Sequence, residues 1–469
     1  LIMSSDKAVT LGELKQTGYK VLSVKEELRK NLIKKISKGE KLFADIIGYE
    51  ETVIPQLENA ILAGHDIIFL GERGQAKTRI IRELTSLLDE EVPCIEGCEI
   101  NDNPFKPICK NCRSRMEAEG DRLHITWLPR EARYGEKLAT PDTTIADLIG
   151  EVDPIRVAEG RYLSDELTIH YGLVPRTNRG IFCINELPDL AERIQVGLFN
   201  ILEERDIQIR GYKIRLPLDV YLVASANPED YTSRGRIITP LKDRYGSQIR
   251  THYPRTTEEE ISIVELEKTR YEDGGITVNA PEFMKEIVAE FSALARKSSD
   301  VNQKSGVSVR LTICNYEIMV GNAMRRAVKL GEKHAVPRVS DLPALIASTT
   351  GKIELESIEE GTGGRFIETL IQKAALNVFN RRFAVQEFAD LIQRFEGGLK
   401  VDVSEDTPSK SYVGLAEVLG GLGPALEKLK IGRDPAELAS GVEFILEGLH
   451  LNRRLNKERQ GVKSVYGVH

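Results

Sequence analysis

The segment FLGERGQAKTR, residues 69–79, has the residue types and spacing of a phosphate-binding loop. In such a loop the pattern Gly-x-x-x-x-Gly-Lys-Ser/Thr lets backbone N–H groups converge on phosphates, while the lysine reaches the β/γ-phosphates and the hydroxyl binds Mg²⁺. Gly71, Lys77 and Thr78 match this pattern, and Ala76 replaces the second glycine. Alanine is tolerated at the start of a helix unless the loop demands a positive φ there. We expect a working nucleotide site; the alternative is a strand-to-helix turn that binds nothing.

A second pair of chemically active residues follows the apolar segment 181–184. Glu186 stands where a general base that activates water belongs, and Asn185 stands where an Asp of the Mg²⁺ shell is usual. Asn185 can accept a hydrogen bond from Thr78 or from a metal-bound water, but it adds no negative charge. Because Mg²⁺ keeps several waters and phosphate oxygens as ligands, nucleotide binding should survive this change more easily than the hydrolysis rate. The alternative is a core strand that ends in a surface Asn-Glu.

Four cysteines crowd into residues 94–112, as two close pairs separated by ten residues: Cys94 and Cys98, then Cys109 and Cys112. Two such pairs can close a tetrahedral Zn²⁺ site, and four protein ligands would make that site structural. The sequence also allows a redox-sensing dithiol or unrelated free thiols. Cys94 could instead be buried in a strand, because VPCIEG has a strand pattern.

The elements that would position these groups alternate between apolar runs and amphipathic segments. The runs HDIIFLG (65–71), IFCINEL (181–187) and VYLVASANP (220–228) have the pattern of buried strands. TRIIRELTSLLDE (78–90) and AERIQVGLFNILEERD (191–206) have helical spacing. Strands that alternate with helices indicate a parallel sheet covered on both faces, so we expect an α/β fold.

The order of these motifs resembles that of the AAA+ ATPases of the MoxR and magnesium-chelatase I-subunit group. The loop is followed by GIFCINE, by the polar strand end ASANPED and by ITPLKDRYGSQI, and the likeness spans roughly residues 40–350. Residues from about 145 to 180 resemble the group's insert in helix 2. The segment IQIRGYKIRLPL, residues 207–218, resembles its hairpin, which we expect at 206–217. The resemblance implies a three-layer αβα AAA+ core with a parallel sheet, a helical lid, and helical N- and C-terminal extensions.

The resemblance also implies roles for matching residues. Asn227 would be the first sensor, which positions the attacking water, and Arg310 would be the second sensor on the lid. Arg244, in Asp-Arg-Tyr at 243–245, would be an arginine finger for a neighbouring subunit; such fingers contribute roughly 10³–10⁵ in rate. The full expected nucleotide-binding set is Ile47 and Gly48 by the adenine, then Gly71, Glu72, Arg73, Gly74, Gln75, Ala76, Lys77, Thr78 and Arg79. The expected catalytic residues are Glu186, Asn227, Arg244 and Arg310, with Thr78 and Asn185 at Mg²⁺.

The expected domain organisation has four parts. An N-terminal helical segment covers residues 1–43, and the ATPase core with its cysteine-rich insert covers 44–258. A helical lid follows at 259–350, and the helical patterns continue through a C-terminal region at 351–469.

The resemblance implies a ring, expected to be a hexamer, that hydrolyses ATP at subunit interfaces to remodel or activate a partner. The group's usual partners carry a von Willebrand factor A domain, and a metal-insertion client is the other option. Ala76 and Asn185 leave open a slow or non-hydrolysing, ATP-switched scaffold. A DNA-associated AAA+ transcriptional regulator is disfavoured, because the sequence contains neither a Gly-Ala-Phe-Thr-Gly-Ala loop nor a convincing helix-turn-helix.

Composition sets the remaining expectations. The 469 residues suffice for several domains, and 41% hydrophobic with 29% charged residues is typical of a soluble globular protein. A net charge of -7 gives no reason to expect a nucleic-acid-coating protein. There is no apolar run of about 18 residues for a membrane span, and LIMSSDKAVT lacks the regions of a signal peptide. We expect a cytoplasmic protein with core thiols at Cys183 and Cys314.

Overall fold

The structure of the chain is a computed structural model that falls into two compact units, Leu1–His252 and Tyr253–His469. It describes residues 7–153, 155, 166–204, 216–227, 236–269, 275–302, 306–355, 362–460 and 463–468. Most of the expected hairpin at 206–217 and part of the helix-2 insert lie outside the described residues. The first unit ends close to the expected end of the ATPase core.

The first unit is built on a five-stranded parallel sheet. In chain order its strands are β1 (Ile67–Leu70), β2 (Tyr134–Leu138), β3 (Gly180–Asn185), β4 (Val220–Ala226) and β5 (Ser247–Arg250). Their spatial order is β2-β3-β4-β1-β5, with all neighbours parallel. The strands β1, β3 and β4 are buried along their whole length, as expected for apolar runs in a sheet that is covered on both faces.

Alternate residues of these strands enter two separate apolar layers. On one face, Ile68 and Phe182 join a core that includes Leu198 of a helix. On the other face, Phe69 and Cys183 pack in a core that includes residues of the helices that precede β1 and follow it. Helix, sheet and helix therefore form three layers, which confirms the predicted α/β class.

The remaining elements of the first unit surround this sheet. Its other strands form two antiparallel pairs, Glu91–Ile95 with Ile125–Pro129 and Gly150–Val152 with Ile169–Tyr171. The helices are Leu11–Gln16, Val24–Ser37, Val53–Leu62, Lys77–Glu83, Lys110–Glu119, Ile145–Leu148, Leu173–Arg176, Glu192–Glu204 and Thr239–Arg244. Single 3₁₀ turns lie at Leu84–Leu87, Gly120–Arg122, Arg130–Arg133, Glu166–Thr168 and Leu187–Asp189.

The second unit is mainly helical around one large apolar core. Its helices are Thr257–Glu267, Glu282–Lys297, Val309–Leu330, Leu345–Thr349, Thr362–Arg382, Ala389–Glu396, Ser411–Leu419, Gly423–Lys428 and Pro435–Leu451. Turns of 3₁₀ helix lie at Val339–Ala344 and Val385–Phe388. Thr277–Val278 pairs with His334–Ala335.

The C-terminal region also contains a small sheet that the helical patterns of the sequence did not predict. Val401–Ser404 and Asn456–Gln460 both pair antiparallel with Lys463–Gly467. The helical pattern expected up to the end of the chain therefore stops at Leu451. Across the described residues, no helix combines the length and the apolar character needed to cross a membrane.

Candidate functional site

The loop 71–76 connects the buried strand β1 to the helix Lys77–Glu83, which is the strand-loop-helix order that the sequence predicts. The N–H group of Gly71 donates to the carbonyl of Ala226 at 3.1 Å, which ties the loop to β4. A side chain at position 71 would meet the Thr251 hydroxyl oxygen at 1.9 Å. Only glycine fits there without displacing Thr251, so the first glycine of the pattern is required by packing.

Ala76 adopts the left-handed conformation, with φ 55° and ψ 14°. The loop therefore demands a positive φ at the position where the usual pattern has its second glycine. A residue with a Cβ is destabilised by about 1–2 kcal/mol in this region. The alanine thus preserves the shape of the loop at a cost in backbone strain, and its methyl group is not neutral.

The side chain of Lys77 folds back against the loop that precedes it. Its side chain is buried, and its Nζ donates to the carbonyl oxygens of Gly71 and, at 2.8 Å, of Glu72. The ammonium group is therefore held at the centre of the loop rather than in solvent. Thr78 follows it in the first turn of the helix and is half-buried.

Three residues outside the expected site, Tyr49, Thr251 and His252, hold the loop in place, and Gln75 of the loop connects two of them. The Gln75 Oε1 accepts hydrogen bonds from the Glu72 N–H at 3.1 Å and from the Thr251 hydroxyl at 2.7 Å. The Tyr49 hydroxyl lies 2.9 Å from the Gln75 carbonyl and 2.7 Å from the His252 carbonyl. Burial raises the pKa of Tyr49, so this hydroxyl remains a donor at neutral pH. The half-buried Ile47 and Gly48, expected near adenine, directly precede this tyrosine.

The strand β3 ends at Asn185, and Glu186 follows it. Both residues lie at the edge of the sheet where β1 leads into the phosphate loop. Asn185 is 7% exposed; its Nδ2 donates to Glu136 Oε1 at 2.6 Å, and its Oδ1 accepts from the Ser225 hydroxyl at 3.1 Å. Glu186 is half-buried and left-handed, with φ 55°, and its N–H donates to Ser225 Oγ at 3.2 Å. The two residues are thus joined through one serine of β4.

Glu136 lies on β2 and was not among the expected site residues. Burial raises its pKa, but hydrogen bonds from Arg82 and Tyr134, the charge of Arg82 and the Asn185 amide together hold the pKa below its usual range. The group is therefore a carboxylate at neutral pH. The sequence does not reveal it, because YGEKL is short and polar and lacks the apolar pattern of a buried strand.

Asn227 follows β4 and is 4% exposed. Within the described part of the chain, its Oδ1 has no hydrogen-bond partner. A buried acceptor without a donor costs about 1–3 kcal/mol. The position therefore favours an incoming donor, such as a water molecule. Because Gly71 bonds to the neighbouring Ala226, Asn227 lies beside the phosphate loop.

Comparison with known proteins adds one relative of known family. No protein-family profile matches the chain. The magnesium-chelatase subunit ChlI of Guillardia theta is 29% identical over 233 residues, which cover 48% of this chain. The chain spans 61% of the length of that relative.

The resemblance to the AAA+ ATPases of the MoxR and magnesium-chelatase I-subunit group is confirmed.

Solved structures with similar chains include a complex of the magnesium-chelatase subunits BchI and BchD. The matched chain of that complex is 18% identical in sequence, and the TM-score is 0.36. The match covers 70% of this chain and 98% of the other chain. NtrX from Brucella abortus in complex with ATP is 13% identical and covers 90% of this chain and 72% of that one, with a TM-score of 0.35.

The two arginines expected to act on the nucleotide, Arg244 of the core and Arg310 of the lid, lie in different units. Arg244 is the last residue of the helix Thr239–Arg244, and its side chain is 31% exposed. Its Nη1 lies 3.5 Å from the Oδ2 of Asp243. Arg310 is exposed in the first turn of Val309–Leu330, within the second unit. The structure thus brings the loop, Asn185, Glu186 and Asn227 to one edge of the sheet, with Arg244 on the same unit.

The cysteine-rich insert contains a second cluster of side chains that could hold a metal ion. One ligand atom each from Cys98, Asp102, Cys109 and Cys112 lies within 4.8 Å of the others. Cys94 is not part of this group: it is buried in the strand Glu91–Ile95. The expected set of four cysteines is therefore corrected at one position, where Asp102 takes the place of Cys94.

The pKa values distinguish the Cys98 thiol from the other thiols of the insert. Hydrogen bonds from the Cys109 and Cys112 thiols lower the pKa of Cys98 to about 3. Burial and the charge of Cys98 raise the pKa of Asp102 to about 6. Burial raises the pKa of Cys94 to about 11, as expected for an inert core thiol. Hydrogen bonds within the cluster and burial raise the pKa of Cys109 and of Cys112 as well. The cluster therefore differs from Cys94 by its geometry, since four possible ligand atoms converge there, and by one thiolate, the form that binds metal.

Proposed function

We propose that this chain is an AAA+ ATPase that binds ATP with Mg²⁺ at the loop 71–78 and hydrolyses it. The observation that carries the proposal is the edge of the sheet where a buried lysine, a half-buried glutamate and an unsatisfied asparagine oxygen surround one loop. Backbone N–H groups at a helix start favour phosphate, and the Lys77 ammonium adds a full charge. A nucleoside triphosphate fits this donor set.

The family resemblance suggests a task for each polar residue. Thr78 and Asn185 are the residues that would hold Mg²⁺, which supplies neutralising charge to the phosphates when it is bound. Glu186 would accept the proton of the attacking water, and the Asn227 oxygen would orient that water. From the resemblance alone, and not from its position, Arg244 of a neighbouring copy would stabilise charge that develops on the phosphoryl group, and Arg310 would have the second-sensor role.

The assembly and the client are proposed from the family resemblance. A half-exposed arginine at a helix end suits a finger that acts on a second copy, so we propose a ring, with a hexamer as the expected size. Hydrolysis would remodel a cytoplasmic partner that carries a von Willebrand factor A domain, or a metal-insertion client.

Phosphate release by the wild type and by Glu186→Gln tests hydrolysis. We expect the variant to lose about 10²–10⁴ in kcat, the usual contribution of a general base, while it still binds ATP. Glu117→Gln, an exposed glutamate on Lys110–Glu119, is the matched control and should keep the wild-type rate.

The competing function is an ATP-switched scaffold. The strained Ala76 and the uncharged Asn185 favour it, because both lie where a fast ATPase has other residues. A wild-type rate no higher than that of Glu186→Gln, with ATP binding intact in both, would leave only the scaffold.

We also propose that Cys98, Asp102, Cys109 and Cys112 hold a structural Zn²⁺. Zinc–sulfur bonds of about 2.3 Å require ligand atoms about 3.5–4 Å apart, which the cluster can reach with small shifts. The insert packs Ile95, Ile100, Cys109 and Cys112 into the apolar core on one face of the sheet. Bound zinc would add to that packing, and it supplies about 10–16 kcal/mol in small modules.

Metal analysis of the purified chain tests this site. We expect one equivalent of zinc, lost in Cys112→Ser and kept in the control Cys94→Ser, since Cys94 lies outside the cluster. Far less than one equivalent in folded wild-type protein, or equal loss in both variants, would remove the proposal.

A further inference from the structure

A continuous hydrogen-bonded network crosses the end of the sheet beneath the phosphate-loop helix. Arg82, on that helix, donates from Nε and Nη2 to both oxygens of Glu136, at 2.9 and 3.0 Å. Glu136 accepts from Asn185 at 2.6 Å, and Asn185 accepts from Ser225 at 3.1 Å. Ser225 in turn accepts from the Glu186 N–H at 3.2 Å. The network thus connects the helix that follows the phosphate loop to the proposed general base.

The Glu136 carboxylate sets the orientation of the Asn185 amide. A carboxylate can only accept, so the Asn185 amide must turn its Nδ2 toward Glu136. Its Oδ1 is then fixed on the opposite side, where it receives the Ser225 proton. The Ser225 oxygen keeps its lone pairs, and it accepts from the Glu186 N–H, which can only donate.

The same carboxylate lies beside the position where a negative charge is missing. Glu136 pairs in register with Cys183 on β3, two residues before Asn185, so both polar side chains belong to one face of the sheet. Asn185 and Ser225 are buried, and the Glu136 side chain is 23% exposed. In such surroundings a unit charge acts more strongly on its neighbours than it does in water.

We propose that Glu136 is a positioning residue of the nucleotide site. It supplies from β2 the negative charge that Asn185 lacks, and it orients the Asn185 oxygen and, through Ser225, the backbone of Glu186. This inference rests on the proposed ATP·Mg²⁺ site.

The proposal predicts that the negative charge can be moved from residue 136 to residue 185. An aspartate at 185 would put two carboxylates about 2.6 Å apart, and like charges at that distance oppose ionisation. Removing the charge at 136 should make an aspartate at 185 acceptable again. If Glu136 only held Arg82 in place, adding Asn185→Asp to Glu136→Gln would not restore binding.

Calorimetric titration of ATP with and without Mg²⁺ tests this pair through binding rather than turnover. We expect Glu136→Gln and Asn185→Asp each to lose at least about tenfold of the Mg²⁺-dependent gain in affinity. The double variant should recover to within about threefold of the wild type. Glu131→Gln, an exposed glutamate near β2, is the control and should bind as the wild type does.

Three results separate the possible failures. If Asn185→Asp binds as well as the wild type while Glu136 keeps its charge, or if the double variant is worse than both single variants, the proposal is overturned. If Glu136→Gln does not fold, Asn185→Asp alone decides, because it adds the repulsion without removing Glu136. If the folded wild type binds no ATP with or without Mg²⁺, the proposed function fails, and this inference fails with it.

Discussion

At the scale of single residues, two departures from the usual nucleotide-site pattern have opposite structural consequences. Ala76 keeps the left-handed backbone that glycine would have, and so it stores strain in the loop. Asn185 keeps its place at the end of β3, and a carboxylate from a neighbouring strand lies against it. The sequence identified both positions. It could not identify the φ of Ala76, which the loop closure sets, or Glu136, which lies 49 residues from Asn185 and meets it only in the sheet.

Ala76→Gly should stabilise the protein. It relieves about 1–2 kcal/mol of left-handed strain and costs about 0.4–1 kcal/mol in the entropy of the unfolded chain. We expect the free energy of unfolding in urea to rise by about 0.5–1 kcal/mol. The control Ala118→Gly, exposed in the helix Lys110–Glu119, should lower it by about 0.5–1 kcal/mol. If both variants destabilise equally, Ala76 carries no strain.

At the scale of elements, hydrophobic runs predicted the buried strands β1, β3 and β4 and the helices between them. The strands β2 and β5 were missed, because YGEKL and SQIR are short and polar and gain their strand conformation from parallel neighbours. The C-terminal sheet was missed for the same reason, since NKERQ has no apolar alternation. Local pattern therefore revealed the interior of the fold better than its edges.

The helix Val24–Ser37 is attached to the core by a buried ion pair. Arg133 donates to both oxygens of Glu27, at 2.7 and 2.6 Å, and both side chains are almost fully buried. Removing one partner leaves the other charge buried and unpaired, which costs about 3–5 kcal/mol. Glu27→Gln should therefore lower the free energy of unfolding by about that amount, measured in urea.

An exposed ion pair on the same helix provides the control for this prediction. Lys30 lies 3.2 Å from Asp89, and its side chain is 52% exposed. Lys30→Met should change the free energy of unfolding by less than about 1 kcal/mol. A loss below about 1 kcal/mol for Glu27→Gln would show that the buried pair does not stabilise the attachment of the helix.

At the scale of the whole molecule, the order of the motifs along the chain was enough to predict the family resemblance. The match to a magnesium-chelatase subunit agrees with it over 48% of the chain. The spacing of the cysteines also predicted that thiols of the insert lie close together, and three of them do. The choice of Asp102 over Cys94 was not predicted, because burial in a strand, rather than spacing, removes Cys94 from the cluster.

The central claim is that the loop 71–78 binds ATP through Lys77, and calorimetry of folded protein with ATP and Mg²⁺ tests it most directly. We predict saturable binding by the wild type, weakened at least about tenfold in Lys77→Ala, since a charge-assisted hydrogen bond contributes about 1.5–3 kcal/mol. Lys41→Ala, an exposed lysine of the same unit, should bind as the wild type does. No binding by folded wild-type protein, or equal affinity in Lys77→Ala, would contradict the account.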